Sequence, residues 1–214
     1  MDAIARPSVQ FAVPGVVDAH WTADHHGMAR IATLLSPALV ACIALALPAS
    51  ASAAAPCANT DLVPSAANIA AVKQATLCLL NAERTSRSLS KLTSNGQLGK
   101  AAQSFSSTMV RQRFFDHVSP SGSTLDNRVR RGTSYLRGPV RSWSLGENIA
   151  WGSGELASPN EIVDSWMNSS GHRRNILDRR FRHIGIGVAA GAPDDVRGQP
   201  AATYTTDFGA RVTA

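Results

Sequence analysis

Apolar residues recur at a helical period in four stretches of the chain, each bounded by residues that start or stop helices. Between Ser65 and Arg87, Ile69, Val72, Leu77, Leu79 and Leu80 stand among alanines and helix-forming polar residues, with Pro64 and Ser65 at the N-terminal boundary, which predicts a first helix. A second is expected from Asn95, whose side chain suits a cap, because Leu98, Ala102, Phe105 and Met109 fall on one face; it should end near Arg113. Ser123 and Thr124 open a shorter helix carrying Leu125 and Val129 and stopping at Gly132, after which Ser134 to Trp143 reads as loop. Ser158-Pro159-Asn160-Glu161 predicts a capped start, with Glu161 able to bond back to the cap amide. The fourth helix follows with a buried stripe of Ile162, Val163 and Trp166, and Gly171 interrupts it before the stretch from His172 to Leu177.

After Phe181 the period changes to two. Ile184, Ile186 and Val188 alternate with Gly185, Gly187 and Ala189, which predicts a strand with one face closely covered. A second strand is expected from Ala201 to Phe208, beyond a loop at 191–200. Helices first and strands late imply an α+β domain, with helices packed on a small, mostly antiparallel sheet.

The first quarter of the chain has a different character. Ile31 to Leu47 carries no charge, Arg30 precedes it and small residues Ala49 to Ala53 follow, which predicts a secretory signal peptide over 28–53. At 17 residues, with Ser36 and Pro37 inside, the run is shorter than the roughly 20 a spanning helix needs, so no retained transmembrane helix is expected. Asp2, Asp18 and Asp24 place acidic charge where an export leader wants a basic end; residues 1–27 are therefore read as a gene-model extension, with translation starting at Met28. Leu39-Val40-Ala41-Cys42 has the form of a lipobox, but the residues after Cys42 stay apolar, which argues against lipidation. What remains is a mature N-terminal segment, 54–70, and one domain, 71–210.

Composition sharpens this picture. With 44% hydrophobic residues and a formal charge of +6, the 214-residue chain is too apolar for a disordered polyelectrolyte. Removal of the leader takes Cys42 with it and leaves Cys57 and Cys78, an even pair in an exported protein, expected to form a disulfide. The alternative is a buried Cys78 and a free Cys57. His117, His172 and His183 are the histidines left for chemistry.

Three segments each hold titratable residues among turn formers: Phe115-Asp116-His117-Val118-Ser119-Pro120-Ser121-Gly122, Leu145-Gly146-Glu147-Asn148-Ile149-Ala150, and Ser165 to Leu177, which contains Ser169-Ser170-Gly171-His172. Together with Leu79-Leu80-Asn81-Ala82-Glu83-Arg84 and the closing IGIGV and YTTDFG segments, their order resembles the bacterial branch of the CAP superfamily, the SCP-like extracellular proteins. The resemblance covers about residues 71–209. It implies a three-layer α-β-α sandwich and a cleft holding two His and one or two acidic residues, which match His117, Glu147 and His172. In many relatives a second Glu occupies the position that is Ser169 here, so the full tetrad is absent.

Two imidazoles and a carboxylate are an adequate donor set for Zn²⁺ with an open fourth position, although no tight ligand spacing such as HExxH accompanies them. The competing reading is that Glu147 fixes each imidazole by hydrogen bonds and the trio orders its loops. With metal bound, Glu147 would act as general base of a hydrolase in which His117, Glu147 and His172 are both ligands and catalytic residues. Ser119, Ser169 and Ser170 qualify as nucleophiles by residue type alone and suit turns and caps better. Gly146 should permit a close approach that a side chain would block. His183 is read as a surface or strand-end residue, and Trp143, Trp151 and Trp166 as core before ligand wall. Arg128, Arg130, Arg131, Arg137 and Arg141 form one basic run and Arg173, Arg174, Arg179, Arg180 and Arg182 another; both are read as solvated faces. Outside the cell, anionic wall polymers or lipid headgroups are the accessible partners, and nucleic acid is disfavoured. The sequence thus describes a secreted CAP/SCP-like domain, acting as an extracellular binding module or a weak hydrolase on peptide or cell-wall material. A lipid- or sterol-binding protein is the alternative that the resemblance also suggests.

Overall fold

Alternation of apolar residues with glycine from His183 to Ala190 becomes a strand in the structure, a computed structural model that describes residues 9–11, 16–19 and 56–214. A Cβ added at Gly185 would lie 2.1 Å from the backbone of Leu98, and one at Gly187 would lie 2.2 Å from that of Ala102. The helix carrying Leu98 and Ala102 therefore rests directly on the strand, which is the close covering the glycines predict.

The elements in chain order are β1 (Val9–Phe11), β2 (Val16–Ala19), α1 (Ile69–Thr85), β3 (Thr93–Ser94), α2 (Gly96–Gln112), α3 (Leu125–Gly132), β4 (Val140–Ser153), a 3₁₀ turn (Gly154–Ala157), α4 (Pro159–Asn168), α5 (Ser170–Leu177), β5 (His183–Ala190) and β6 (Ala201–Thr213). They form one sheet in the order β1-β4-β6-β5-β3, with β2 also on β4. The β3–β5 pair is parallel and the others are antiparallel. The leader at 28–53 lies outside the described residues, as does Cys42. Of 1–27, only β1 and β2 are described.

Helices cover both faces of the sheet. On one side Val72 and Leu80 of α1, Ile162 and Trp166 of α4 and Ile176 of α5 pack on Ile184, Val188, Tyr204 and Phe208. On the other, Leu98 and Ala101 of α2 and Leu125 and Val129 of α3 pack with Tyr135, Trp143 and Leu145, while Phe105 and Met109 close on Ile149. The result is the α-β-α sandwich. Trp143, Trp151 and Trp166 are all buried, and Trp143 and Trp166 belong to clusters on opposite faces rather than to one wall.

Asn95 caps α2 by accepting from the amides of Gln97 and Leu98, and Thr124 caps α3 through the amide of Asn127. The capping box expected at Ser158 does not form. The Ser158 amide is taken by the carbonyl of Glu155 in the preceding 3₁₀ turn, and the Ser158 side chain makes no cap bond. The break after α4 falls at Ser169 rather than Gly171. The larger correction is β4: the segment read as loop becomes strand at Val140, and the glutamate segment lies in the middle of a 14-residue strand flanked by β6. Its interior is buried on both faces, polar residues such as Ser144 and Asn148 included. Trp143, Leu145, Ile149 and Trp151 alternate with Ser142, Ser144, Asn148 and Ala150, a period of two that Glu147 interrupts.

Two covalent or buried polar ties hold α1 in place. Cys57 and Cys78 form a disulfide with Cα atoms 5.7 Å apart, fastening the segment before α1 to its middle. Arg84, fully buried, donates to the carbonyls of Ser90, Ile176, Asp178 and Phe181 and so joins the end of α1 to the turn after α5.

Candidate functional site

The C-terminus of α2 sets up the first site residue. Arg113 adopts φ 51°, the left-handed turn that ends the helix, and its amide bonds the carbonyl of Met109. Phe114 then packs edge-on against Phe105 with ring centroids 5.9 Å apart, which leads the chain back to the sheet and delivers His117 to β4. His117 Nδ1 lies 2.8 Å from Glu147 Oε1. The imidazole keeps 20% of its side-chain surface exposed, whereas the Glu147 side chain keeps 2%.

Arg128 completes the carboxylate. One amino group donates to Glu147 Oε2 at 2.5 Å, and the other donates to the carbonyls of His117 and Ser123, both at 3.0 Å. Its guanidinium lies over the Phe105 ring, 3.4 Å from the centroid. The basic run of α3 is therefore not uniformly solvated, because Arg128 points inward beside Leu125 and Val129. Burial alone would push the Glu147 carboxyl upward, but the hydrogen bonds and charges of His117 and Arg128 hold it below the usual carboxylate range.

Directly across the β4–β6 ladder from Glu147 is Asp207, fully buried. Among the described residues, neither of its oxygens meets a hydrogen-bond donor. Burial and the adjacent Glu147 charge, only partly offset by Arg128, raise the Asp207 carboxyl well above its ordinary value. Two ionised carboxylates would both be acceptors, so their contact becomes a hydrogen bond when Asp207 keeps its proton. The arrangement is an ionised Glu147 held from one side by two cationic or donor groups and from the other by a neutral acid.

His172 enters from α5. Its Nδ1 lies 2.7 Å from the hydroxyl of Ser169, the residue at the N-cap position, which makes no cap bond of its own. The His172 carbonyl accepts from Asn148 Nδ2, while Asn175 donates to the Glu147 carbonyl and to Asn148 Oδ1. His172 is thereby tied to β4 beside Glu147, and its side chain is buried. Gly146, next to Glu147, has the predicted close neighbour: a Cβ there would lie 2.8 Å from the Phe181 ring. His183 begins β5, as expected of a strand-end residue, and its Nδ1 lies 3.0 Å from the Tyr135 hydroxyl.

Ser119 lies in the turn after His117, with its hydroxyl accepting from the Ser123 amide and 2.9 Å from the Ser121 hydroxyl. Among the described residues no three His, Cys, Asp or Glu side chains converge as metal ligands. Glu147 already gives one oxygen to an imidazole and the other to a guanidinium, which places it to orient His117 rather than to serve as a third zinc ligand.

Sequence reasoning missed Arg128, Asp207, Asn148 and Asn175. A weak signal existed for Arg128, which shares a helix face with two core residues. Asp207 had none, because its meeting with Glu147 depends on strand register.

A family model described as the cysteine-rich secretory protein family, CAP, matches residues 77–206, more than half of the chain. The Bacillus subtilis protein YkwD is 39% identical over 130 residues, which span 60% of this chain and 46% of that protein. The membrane protein YlbC of the same organism is 32% identical over 112 residues, 52% of this chain and 30% of the other. The chain thus spans less than half the length of these curated relatives. Among solved structures, an extracellular protein containing an SCP domain from Bacillus anthracis matches with a TM-score of 0.48 at 27% identity, covering 65% of this chain and 42% of that one. An outer surface protein from Borrelia burgdorferi matches with a TM-score of 0.49 at 18% identity, covering 64% and 90%. Among the described residues no helix is long and apolar enough to cross a membrane.

Proposed function

Because this chain belongs to the cysteine-rich secretory protein (CAP) family, we propose that it is an exported binding module for cell-wall material, with His117 as its ligand-facing group. One observation carries the reading: Glu147 is buried with both oxygens engaged, while the imidazole it holds is partly exposed. A carboxylate so placed acts as a holder. It selects the His117 tautomer with Nδ1–H toward Glu147, fixes the ring plane and polarises the imidazole for a hydrogen bond to a ligand. The excess of arginine adds attraction to anionic wall polymers.

The same orientation favours a second reading, hydrolysis with His117 as general base, since a carboxylate on Nδ1 leaves Nε2 as the basic atom. Neither reading routes a step through a metal.

Cosedimentation with isolated bacterial cell-wall sacculi, combined with an assay for soluble fragments, tests the proposal. The protein should sediment with sacculi and release nothing, and His117→Ala should weaken sedimentation by about tenfold, equivalent to 1.4 kcal/mol. Sedimentation absent in the parent protein or unchanged in the variant overturns the binding reading. Fragment release that disappears in His117→Ala replaces it with the hydrolase. Calorimetric zinc binding that disappears in His117→Ala with His172→Ala would restore the metal-assisted form.

A further inference from the structure

A second candidate site lies elsewhere on the molecule and does not depend on the reading of His117. Two recesses share a wall made by the turn after α5. The larger, about 460 Å³, has Trp143 and Val212 among its lining residues, together with Arg179, Arg180, Arg182 and Arg211. The smaller, about 220 Å³, is lined by Ser88, Leu89 and Ser90 after α1, by Arg84, and again by Arg179 and Arg182. Neither lining includes His117, Glu147, Arg128 or His172. Ser142, also on the larger wall, is five residues before Glu147 on β4, roughly 16 Å along a strand.

The two recesses differ in chemistry. Val212 is 54% exposed, one of two large hydrophobic side chains so exposed among the described residues, and it faces the larger recess with Trp143. The smaller offers serine hydroxyls and guanidinium groups. Arg180 is paired with Asp178 at 2.8 Å. The Arg182 guanidinium donates only to the carbonyls of Arg179, Arg180 and Phe181, and the Arg179 guanidinium has no partner among the described residues. Burial and then the nearby Arg182 charge lower the Arg84 pKa, which places two cations close together, with Asp178 the acid that offsets them. Crowded guanidinium groups of this kind match the bidentate geometry of phosphate oxygens. The larger volume falls within the roughly 300–1,000 Å³ typical of small-molecule sites.

We propose that the Arg179–Arg182 turn is the anion-recognising wall of a two-part site for an organic phosphate ester. The phosphate lies between Arg179, Arg182 and the hydroxyls of Ser88 and Ser90, and the apolar body lies against Trp143 and Val212. Isothermal titration of the purified protein with phenyl phosphate and with inorganic phosphate, at matched ionic strength, tests it.

Phenyl phosphate should bind about tenfold more tightly than inorganic phosphate, a gain of 1.4 kcal/mol from the ring. Arg179→Ala with Arg182→Ala should weaken both by at least about tenfold. Val212→Ser should reduce the preference for phenyl phosphate and leave inorganic phosphate unchanged. All three positions are solvent-exposed, so the variants should fold, which circular dichroism checks. Absent binding, equal affinity in the double-arginine variant, or a Val212→Ser effect shared by both ligands overturns the site. A sedimentation arm with phosphatidylcholine vesicles containing phosphatidic acid separates the two sources of phosphate. Arginine-dependent sedimentation without phenyl phosphate binding would assign the turn to a membrane surface and overturn the soluble ester.

Discussion

Glu147 and Asp207 face each other across neighbouring strands, and their opposite shifts make opposite contributions to stability. Glu147 is more acidic folded than unfolded, so its contribution is complete above the ordinary carboxylate range and is lost as pH falls through its lowered value. Asp207 holds its proton more tightly folded than unfolded. Above the ordinary aspartate range the unfolded chain releases that proton and the folded chain keeps it, so stability declines as pH rises through this window. Asp207→Asn keeps a donor toward Glu147 but cannot titrate, so it should remove that decline and stabilise the protein at neutral pH by on the order of 1 kcal/mol, the cost of holding a proton the unfolded chain releases, or about 3 °C in melting temperature. Thermal denaturation across pH checks this, and an unchanged slope would refute the assignment of the proton to Asp207. Arg128→Met preserves bulk over Phe105 but withdraws the cation from Glu147, and should destabilise by about 3 kcal/mol. Adding Glu147→Gln should recover part of that loss, which a double-mutant cycle by chemical denaturation would read.

At the scale of elements, α2 and β5 meet without side chains between them at Gly185 and Gly187, so this contact has no room to adjust. Gly187→Ala must displace backbone, and should cost about 3 kcal/mol by chemical denaturation. Asn95→Ala removes only a cap and should cost about 1 kcal/mol. The ordering of these two losses is the sharper test. The same elements explain what could be read in advance. Helices α1, α2 and α3 were legible because each buries a single stripe and has a recognisable boundary, and β5 because glycine must stand where a helix lies flush. Strand β4 carries a period of two in Trp143, Leu145, Ile149 and Trp151, but Glu147 breaks it at the centre and the polar residues between are buried too, so it reads less plainly than a half-exposed strand. The functional motif inside it drew attention as chemistry, yet the ladder that positions Glu147 was invisible from spacing alone.

For the whole molecule, the family pattern and the order of helices and strands fixed the architecture better than the site. His117 and Glu147 are in contact, whereas His172 is linked to β4 by its backbone carbonyl on Asn148 while its imidazole bonds Ser169. The groups that determine their charge, Arg128 and Asp207, come from elements far apart in sequence and could be joined only by folding. The Cys57–Cys78 bridge encloses a segment of sequence separation 21. Replacing both cysteines by serine should lower stability by about 3 kcal/mol, and intact mass before and after reduction should differ by two hydrogens. Arg84 has a separate consequence. Its clamp is made to backbone oxygens that take up no proton over any biological range, so the hydrogen bonds of the seam between α1 and the end of α5 survive acid. The Asp178 carboxylate beside them, which burial would raise but Arg180 and Arg84 hold below its ordinary range, gives up its share only at low pH. In an acidifying medium the domain should loosen first around its buried carboxylate, with that seam the last part to let go.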